Sequence, residues 1–164
     1  MKIAVLQLNA RLGAPEANGR AVETAYADAL KRGAELVLAP ELAICGYLPE
    51  DRLWEPGLRA RMDAESRRLA ALAGAVPLIF GTASPAPSGR LWNELWWCEN
   101  GTRRATIRKR LLPAYDVFDE SRYFEPASAS QPLVDFGGER IGLSICEDLW
   151  ADETLTRAPV RYVV

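Results

Sequence analysis

The N-terminal forty residues restrict the fold more than any other stretch. Lys2 to Asn9 carries Ile3, Ala4, Val5, Leu6 and Leu8 and reads as a first strand, followed by a loop at Leu12-Gly13-Ala14-Pro15. From Glu16 to Arg32, Val22, Ala25, Tyr26, Ala29 and Leu30 recur at helical spacing, and Gly33 stands where a glycine cap belongs. Glu35 to Ala39 is a second short apolar strand, ending in Pro40-Glu41. A strand, a helix and a strand in that order form a β-α-β unit. Parallel strands cannot be joined by a tight turn, so the unit predicts a parallel sheet covered by a helix.

The remainder extends that plan. Leu42 to Pro56 is a loop carrying Cys45-Gly46-Tyr47 and Pro49-Glu50-Asp51, and a second amphipathic helix is predicted from Leu58 to Leu72, burying Leu58, Met62, Leu69 and Leu72. Val76 to Gly81 is the next strand, and Ala83 to Gly89 a turn. Leu91 to Cys98 and Thr102 to Lys109 form a hairpin around Glu99-Asn100-Gly101, because Asn-Gly is a strong turn signal. Leu111 to Pro132 is long, irregular and aromatic, and such loops in compact domains are commonly functional. Leu133 to Phe136 and Arg140 to Ile145 make a second hairpin around Gly137-Gly138. There is no internal repeat, low-complexity tract or interdomain linker, so residues 1–164 are expected to form one domain.

Composition narrows the function. A formal net charge of −2 argues against nucleic acid or an anionic membrane as partner, and no apolar run is long enough to cross a bilayer. The N-terminus is too weakly apolar for a signal peptide, so the three unpatterned cysteines, Cys45, Cys98 and Cys146, are expected to be reduced thiols in the cytoplasm. The chain contains no histidine. It therefore cannot by itself supply a Ser-His-Asp triad, a Cys-His dyad or a His-containing metal site.

The stretch Arg140 to Trp150 is where chemistry is expected. Ile141, Leu143 and Ile145 alternate as in a strand, the pattern stops at Cys146, and Glu147 and Asp148 suit the first turn of a helix. Such a strand-to-helix turn exposes a nucleophile and leaves backbone N–H groups for an oxyanion. Glu41 and Lys109 likewise fall just past predicted strand ends, where ligand sites of open α/β sheets gather. Glu41 could take the thiol proton, Cys146 could attack a carbonyl or nitrile carbon, and Lys109 with the Glu147 N–H could hold the developing oxyanion. Each residue also has a plainer reading. Cys146 could be a small buried hydrophobe, Glu41 a solvated loop carboxylate, and Lys109 part of a charged face with Arg103, Arg104, Arg108 and Arg110.

Taken together, the segments carry a resemblance. Pro40-Glu41-Leu42, Arg108-Lys109 followed by Leu111-Leu112-Pro113, and Ile145-Cys146-Glu147-Asp148 resemble the three signature segments of the nitrilase, or carbon-nitrogen hydrolase, superfamily. Gly46-Tyr47 with Pro49-Glu50-Asp51, the stretch Tyr115 to Glu120, and Arg122 to Pro126 most resemble the glutaminase domains of glutamine-dependent NAD synthetases. The resemblance runs from Met1 to about Trp150. It implies a four-layer α-β-β-α sandwich, incomplete at its C-terminus, with Glu41 as general base, Lys109 as oxyanion stabiliser and Cys146 as the nucleophile forming a glutamyl thioester. It further implies that Glu120 orients the lysine or assists proton transfer, and that Tyr47, Tyr115, Phe118 and Glu147 face the glutamine.

The same resemblance sets expectations about partners. No cofactor or metal is expected in this domain. Ammonia released from glutamine would pass to a synthetase domain, absent from this chain, that uses ATP and Mg to amidate nicotinic acid adenine dinucleotide; full-length family members usually form homo-oligomers. The chain is expected to be the N-terminal part of a longer enzyme, without the full helix and further strand that should follow Cys146. Pro159 would interrupt that helix. The alternatives are a stand-alone amidase or nitrilase-like hydrolase with the same triad, or a non-catalytic remnant.

Overall fold

The computed structural model describes residues 1–128, 131–151 and 161–163. The β-α-β unit forms as predicted. Strand β1 (Ile3–Val5) leads into helix α1 (Pro15–Lys31) and then strand β2 (Leu36–Leu38), which pairs parallel to β1 with Ile3 opposite Leu36. Pro15 opens the helix, where its missing N–H costs nothing, and Gly33 at φ +74° lets the chain turn out of it. β1 is shorter than the apolar run Lys2 to Asn9, because only the residues lying beside β2 find a ladder partner.

Every residue of β2 is buried, so this strand needs cover on both faces. Val37 packs into a core beneath α1 and the second helix, α2 (Leu58–Leu72). Leu36 and Leu38 point the other way, into a core shared with a second sheet. The same alternation runs on through β3 (Leu78–Pro85) and β4 (Leu91–Glu99). Phe80 and Trp96 face the helices, whereas Ile79, Leu95 and Trp97 face the second sheet. β5 (Thr102–Arg108) completes a five-stranded sheet in the order β1-β2-β3-β4-β5, parallel across the first three strands and antiparallel thereafter. The parallel sheet that the β-α-β unit predicts is thus only one side of a mixed sheet.

A short helix α3 (Glu120–Tyr123) interrupts the long aromatic loop. The second hairpin forms from β6 (Val134–Phe136) and β7 (Glu139–Leu143). Val134, Ile141, Leu143 and Ile145 press onto Leu36, Leu38, Ile79, Leu95, Trp97 and Ile107 of the first sheet. Helices, large sheet and small sheet are therefore three successive layers of the expected sandwich. Helix α4 (Asp148–Ala151) is a single turn, and a strand that the sequence does not predict, β8 (Arg161–Val163), pairs parallel to β7. The break expected at Pro159 lies outside the described residues.

Two further departures have physical causes. β3 continues past Gly81 to Pro85 through residues expected to turn, because β4 offers a partner for each position from Leu78 to Pro85. The loop after Tyr47 is partly regular, with a short 3-10 helix at Glu50–Trp54. One glycine is needed for close approach: a Cβ at Gly81 would lie 2.3 Å from the Leu42 nitrogen and 2.5 Å from the Pro40 oxygen. Those are backbone atoms of the turn that carries Glu41. Gly81→Ala is expected to destabilise the protein by about 1–3 kcal/mol, read from urea unfolding, since the turn must shift to admit the methyl group.

Candidate active site

Glu41 sits where β2 gives way to a turn, and that turn is fastened to β3. The Gly81 N–H donates to the Pro40 carbonyl at 3.1 Å, and the Ile44 N–H donates to the Gly81 carbonyl at 3.2 Å. Lys109 follows β5 directly. Its N–H donates to the Asn93 carbonyl at 2.8 Å, and its carbonyl accepts from the Ala127 N–H at 2.9 Å, so its backbone is held on both sides. The surrounding arginines suggest a solvent face, but the Lys109 side chain is wholly buried. Its ammonium donates to Glu41 Oε1 and to Glu120 Oε1, each at 2.8 Å.

A buried ammonium is tolerated only when its charge is paired and its N–H groups are bonded. Burial alone would pull Lys109 toward the neutral amine. The Glu41 charge and the bonds to Glu120 and Glu41 outweigh it, and the lysine is held above its ordinary range. Glu120, at the start of α3, is equally buried, and Oε1 also accepts a 2.7 Å bond from the Tyr47 hydroxyl. One ammonium shared between two carboxylates cannot fully offset burial, which pushes Glu120 up. Burial, reinforced by Glu120, also raises the Tyr47 phenol, so it stays protonated and able to donate.

Cys146 lies beyond β7 on a sharp elbow at φ +44°, with its side chain exposed. A non-glycine residue in left-handed conformation is uncommon, and such strain collects at functional sites. The Leu149 N–H donates to the Cys146 carbonyl at 3.0 Å, and the Asp148 N–H to the Ile145 carbonyl at 3.0 Å. Partial loss of solvent around the sulfur of this otherwise exposed residue and the Glu41 charge raise the Cys146 thiol above its usual value, while Lys109 opposes them. The thiol therefore rests protonated and needs a base to become a nucleophile. Cys45 and Cys98 are deeply buried, and each is pushed up to about 12. They are the small apolar fillers that Cys146 could have been.

The predicted pocket residues also converge. Phe118 lies between Tyr115, edge-on at 5.6 Å, and Tyr47, tilted at 6.3 Å. The Tyr115 hydroxyl donates to the Glu147 carboxylate at 2.9 Å. Tyr115 and Glu147 line an open cleft of about 560 Å³ together with Leu111, Leu112 and Pro113, whereas Tyr47 and Phe118 are not part of its wall. Among the described residues, no group of three or more Cys, Asp or Glu side chains is placed to hold a metal ion.

The sequence does not flag Asn93, and marks Asp148 only as a carboxylate beside Cys146. Asn93 Nδ2 donates to Glu41 Oε1 at 2.7 Å. Its signal is a buried amide inside the apolar strand Leu-Trp-Asn-Glu-Leu-Trp-Trp. Asp148 reads in sequence as a carboxylate for a helix dipole. In the structure its Oδ1 accepts the N–H groups of Arg110 and Leu111, at 2.9 and 2.8 Å, and so ties the Cys146 elbow to the segment beyond Lys109.

Comparison with known proteins places this geometry. The carbon-nitrogen hydrolase family profile matches residues 2–159, nine residues beyond the Trp150 limit read from the motifs. A glutamine-dependent NAD(+) synthetase from a Synechocystis species is 40% identical over 158 residues, covering 92% of this chain and 28% of its own length. The chain thus spans well under a third of that relative. The structure of a glutamine-dependent NAD+ synthetase from Acinetobacter baumannii, in complex with ADP, superposes with a TM-score of 0.87 at 28% identity, covering 94% of this chain and 29% of that one. An amidase variant from Nesterenkonia sp. AN1 superposes with a TM-score of 0.77 at 28% identity, over 91% of this chain and 56% of its own. It carries the acetamide moiety of fluoroacetamide covalently on its active-site cysteine. With its α/β layers matched and the family profile spanning nearly all of its length, the chain belongs to the carbon-nitrogen hydrolase family.

Proposed function

We propose that this chain hydrolyses the side-chain amide of glutamine through a thioester on Cys146. The observation that carries the reading is the Lys109 ammonium, fully buried and bonded to both Glu41 and Glu120, with its charge acting on the Cys146 thiol. Glu41 takes the thiol proton as sulfur attacks the amide carbon. The charge that develops on the amide oxygen is met by Lys109 and the Glu147 N–H. The C–N bond then breaks, the proton held by Glu41 passes to nitrogen, and ammonia leaves. Water next gives a proton to Glu41 as it attacks the thioester, and that proton restores the thiol as the acid departs.

Three features support glutamine as the amide. The Tyr47, Phe118 and Tyr115 rings make a wall for an aliphatic side chain, the Glu147 carboxylate suits an α-ammonium group, and the synthetase relatives are named for their dependence on glutamine. In this reading the ammonia serves a synthetase unit that consumes ATP with Mg to amidate nicotinic acid adenine dinucleotide, in the cytoplasm. The glutaminase chemistry itself uses no cofactor. Similarity to the Nesterenkonia amidase favours a second reading, hydrolysis of a short aliphatic amide by the same triad.

Incubation with a diazo-ketone analogue of glutamine is expected to add one adduct by intact mass, absent in Cys146→Ala, with Cys45 and Cys98 untouched. No adduct on folded protein overturns the proposal, and faster release of ammonia from a short aliphatic amide than from glutamine supports the second reading. Lys109→Met leaves the buried Glu120 carboxylate and the partly buried Glu41 carboxylate without their cation. It is expected to lower amide hydrolysis by roughly a hundredfold or more and to destabilise the protein by about 3–5 kcal/mol in urea unfolding.

The pH dependence of Cys146 alkylation by iodoacetamide tests the base. The thiol is raised, so at neutral pH alkylation depends on Glu41 to accept the proton. The wild-type rate should be appreciable at neutral pH and climb at alkaline pH as the thiol ionises unaided. Glu41→Gln should abolish the rate at neutral pH. It should also move the alkaline limb to lower pH, because the Glu41 charge no longer opposes the thiolate.

A further inference from the structure

We infer that Asn93 is a positioning residue for the reaction, fixing the geometry of Glu41 and Lys109 together from the middle of β4. The inference rests on the triad reading above and adds to it a residue of β4 which that reading does not use. Its side chain and its main chain act on different members of the triad. Nδ2 donates to Glu41 Oε1 at 2.7 Å, while the Asn93 carbonyl accepts the Lys109 N–H at 2.8 Å.

The placement is rigid. Asn93 is buried, lies opposite Ala83 of β3, and sits one position before the Glu94 and Arg108 register pair of β4 and β5. Glu41 is therefore aimed from a strand flanked on both sides, not from its own turn alone. The charge on Glu41 selects the orientation of the amide. Turned over, Oδ1 would face carboxylate oxygen Oε1, acceptor against acceptor.

The amide is also kept at a cost. Asn93 Oδ1 is buried with no hydrogen-bond partner. An apolar residue of similar size would avoid that penalty in a strand whose neighbours are otherwise mostly apolar. What the amide adds is a donor to a single carboxylate oxygen. With Oε1 taken by Asn93 Nδ2 and Lys109 Nζ, the carboxylate plane is fixed and Oε2 is the oxygen left for the thiol proton. Losing the donor lets the carboxylate rotate about the lysine contact.

The test is a pair of variants, Asn93→Leu and Asn93→Asp, on the chain as it stands. Leu removes the donor at similar volume. Asp keeps the shape but sets a second carboxyl against Glu41, so the two compete for one proton. With glutamine, kcat is expected to fall roughly 10- to 100-fold, the worth of a hydrogen bond to a charged group, while KM changes little. In iodoacetamide alkylation of Cys146, the rate at neutral pH should fall roughly 10-fold in Asn93→Leu and further in Asn93→Asp. A merely structural role would lower melting temperature without lowering that rate. A folded Asn93→Leu protein with wild-type kcat and an undiminished neutral alkylation rate overturns the inference. Should that variant fail to melt cooperatively, an undiminished rate in Asn93→Asp overturns it instead. The alkylation profile needs no amide substrate. If the wild-type chain alkylates as described but does not hydrolyse glutamine, the substrate proposal fails while the role of Asn93 is still decided.

Discussion

The buried ammonium of Lys109 is the interaction on which the site depends. Glu41 Oε1 and Glu120 Oε1 each lie 2.8 Å from the same nitrogen, so the three groups stay inside only as a set. Two carboxylates without the lysine would repel, and the lysine without them would give up its proton. Meeting these demands requires the end of β2, the end of β5 and helix α3 to converge, although Glu41 and Lys109 are 68 residues apart. The sheet order β2-β3-β4-β5 provides the convergence, and α3 closes it when the Glu120 N–H bonds to the Pro113 carbonyl.

This dependence explains why some elements are legible in the sequence and others are not. Helix α2 occupies the residues whose apolar spacing predicts it, Leu58 to Leu72, because a helix records its own burial every three or four positions. Glu41, Lys109 and Cys146 can be picked out as chemically apt residues just past strand ends, and their matches to family segments join them. Asn93 carries no such local mark, and Asp148, although part of the Cys146 segment, shows nothing in sequence of the clamp it forms. Their roles follow from which strand lies beside which, and the polar partner sits 52 residues away in one case and 38 in the other. The extension of β3 to Pro85 has the same kind of cause, since only β4 makes Thr82 and Ser84 strand residues. β8 likewise exists through its pairing with β7, and its sequence has too little period to announce it.

The cysteine elbow shows how the second sheet serves the first. Ile141, Leu143 and Ile145 bury against Leu36, Leu38 and Trp97, which sets the height at which the chain leaves β7. The turn then places Cys146 in a left-handed conformation, and Asp148 anchors its far side to the backbone of Arg110 and Leu111. Position thus comes from apolar packing on one side of the cysteine and from a carboxylate clamp on the other. Neither restraint alone would hold a strained residue in place.

The polar atoms left unsatisfied point to the same place. Among the described residues, buried side-chain atoms without a hydrogen-bond partner include Asn93 Oδ1, Glu120 Oε2, Ser144 Oγ and Asp148 Oδ2. Asn93 and Glu120 bond directly to the triad, and Ser144 and Asp148 stand two residues either side of Cys146. Each such atom costs stability that an apolar neighbour would not. A core selected for stability alone would distribute or remove them. Arg59 Nη2 and Glu125 Oε2 are also unpartnered, but these four belong to residues bonded to the triad or two positions from Cys146, where a fixed array of dipoles can meet charge that develops during a reaction without reorganising at that moment. The bonds that these residues do make hold the array rigid, and the oxygens they leave over are what rigidity costs in a site that cannot also satisfy every lone pair.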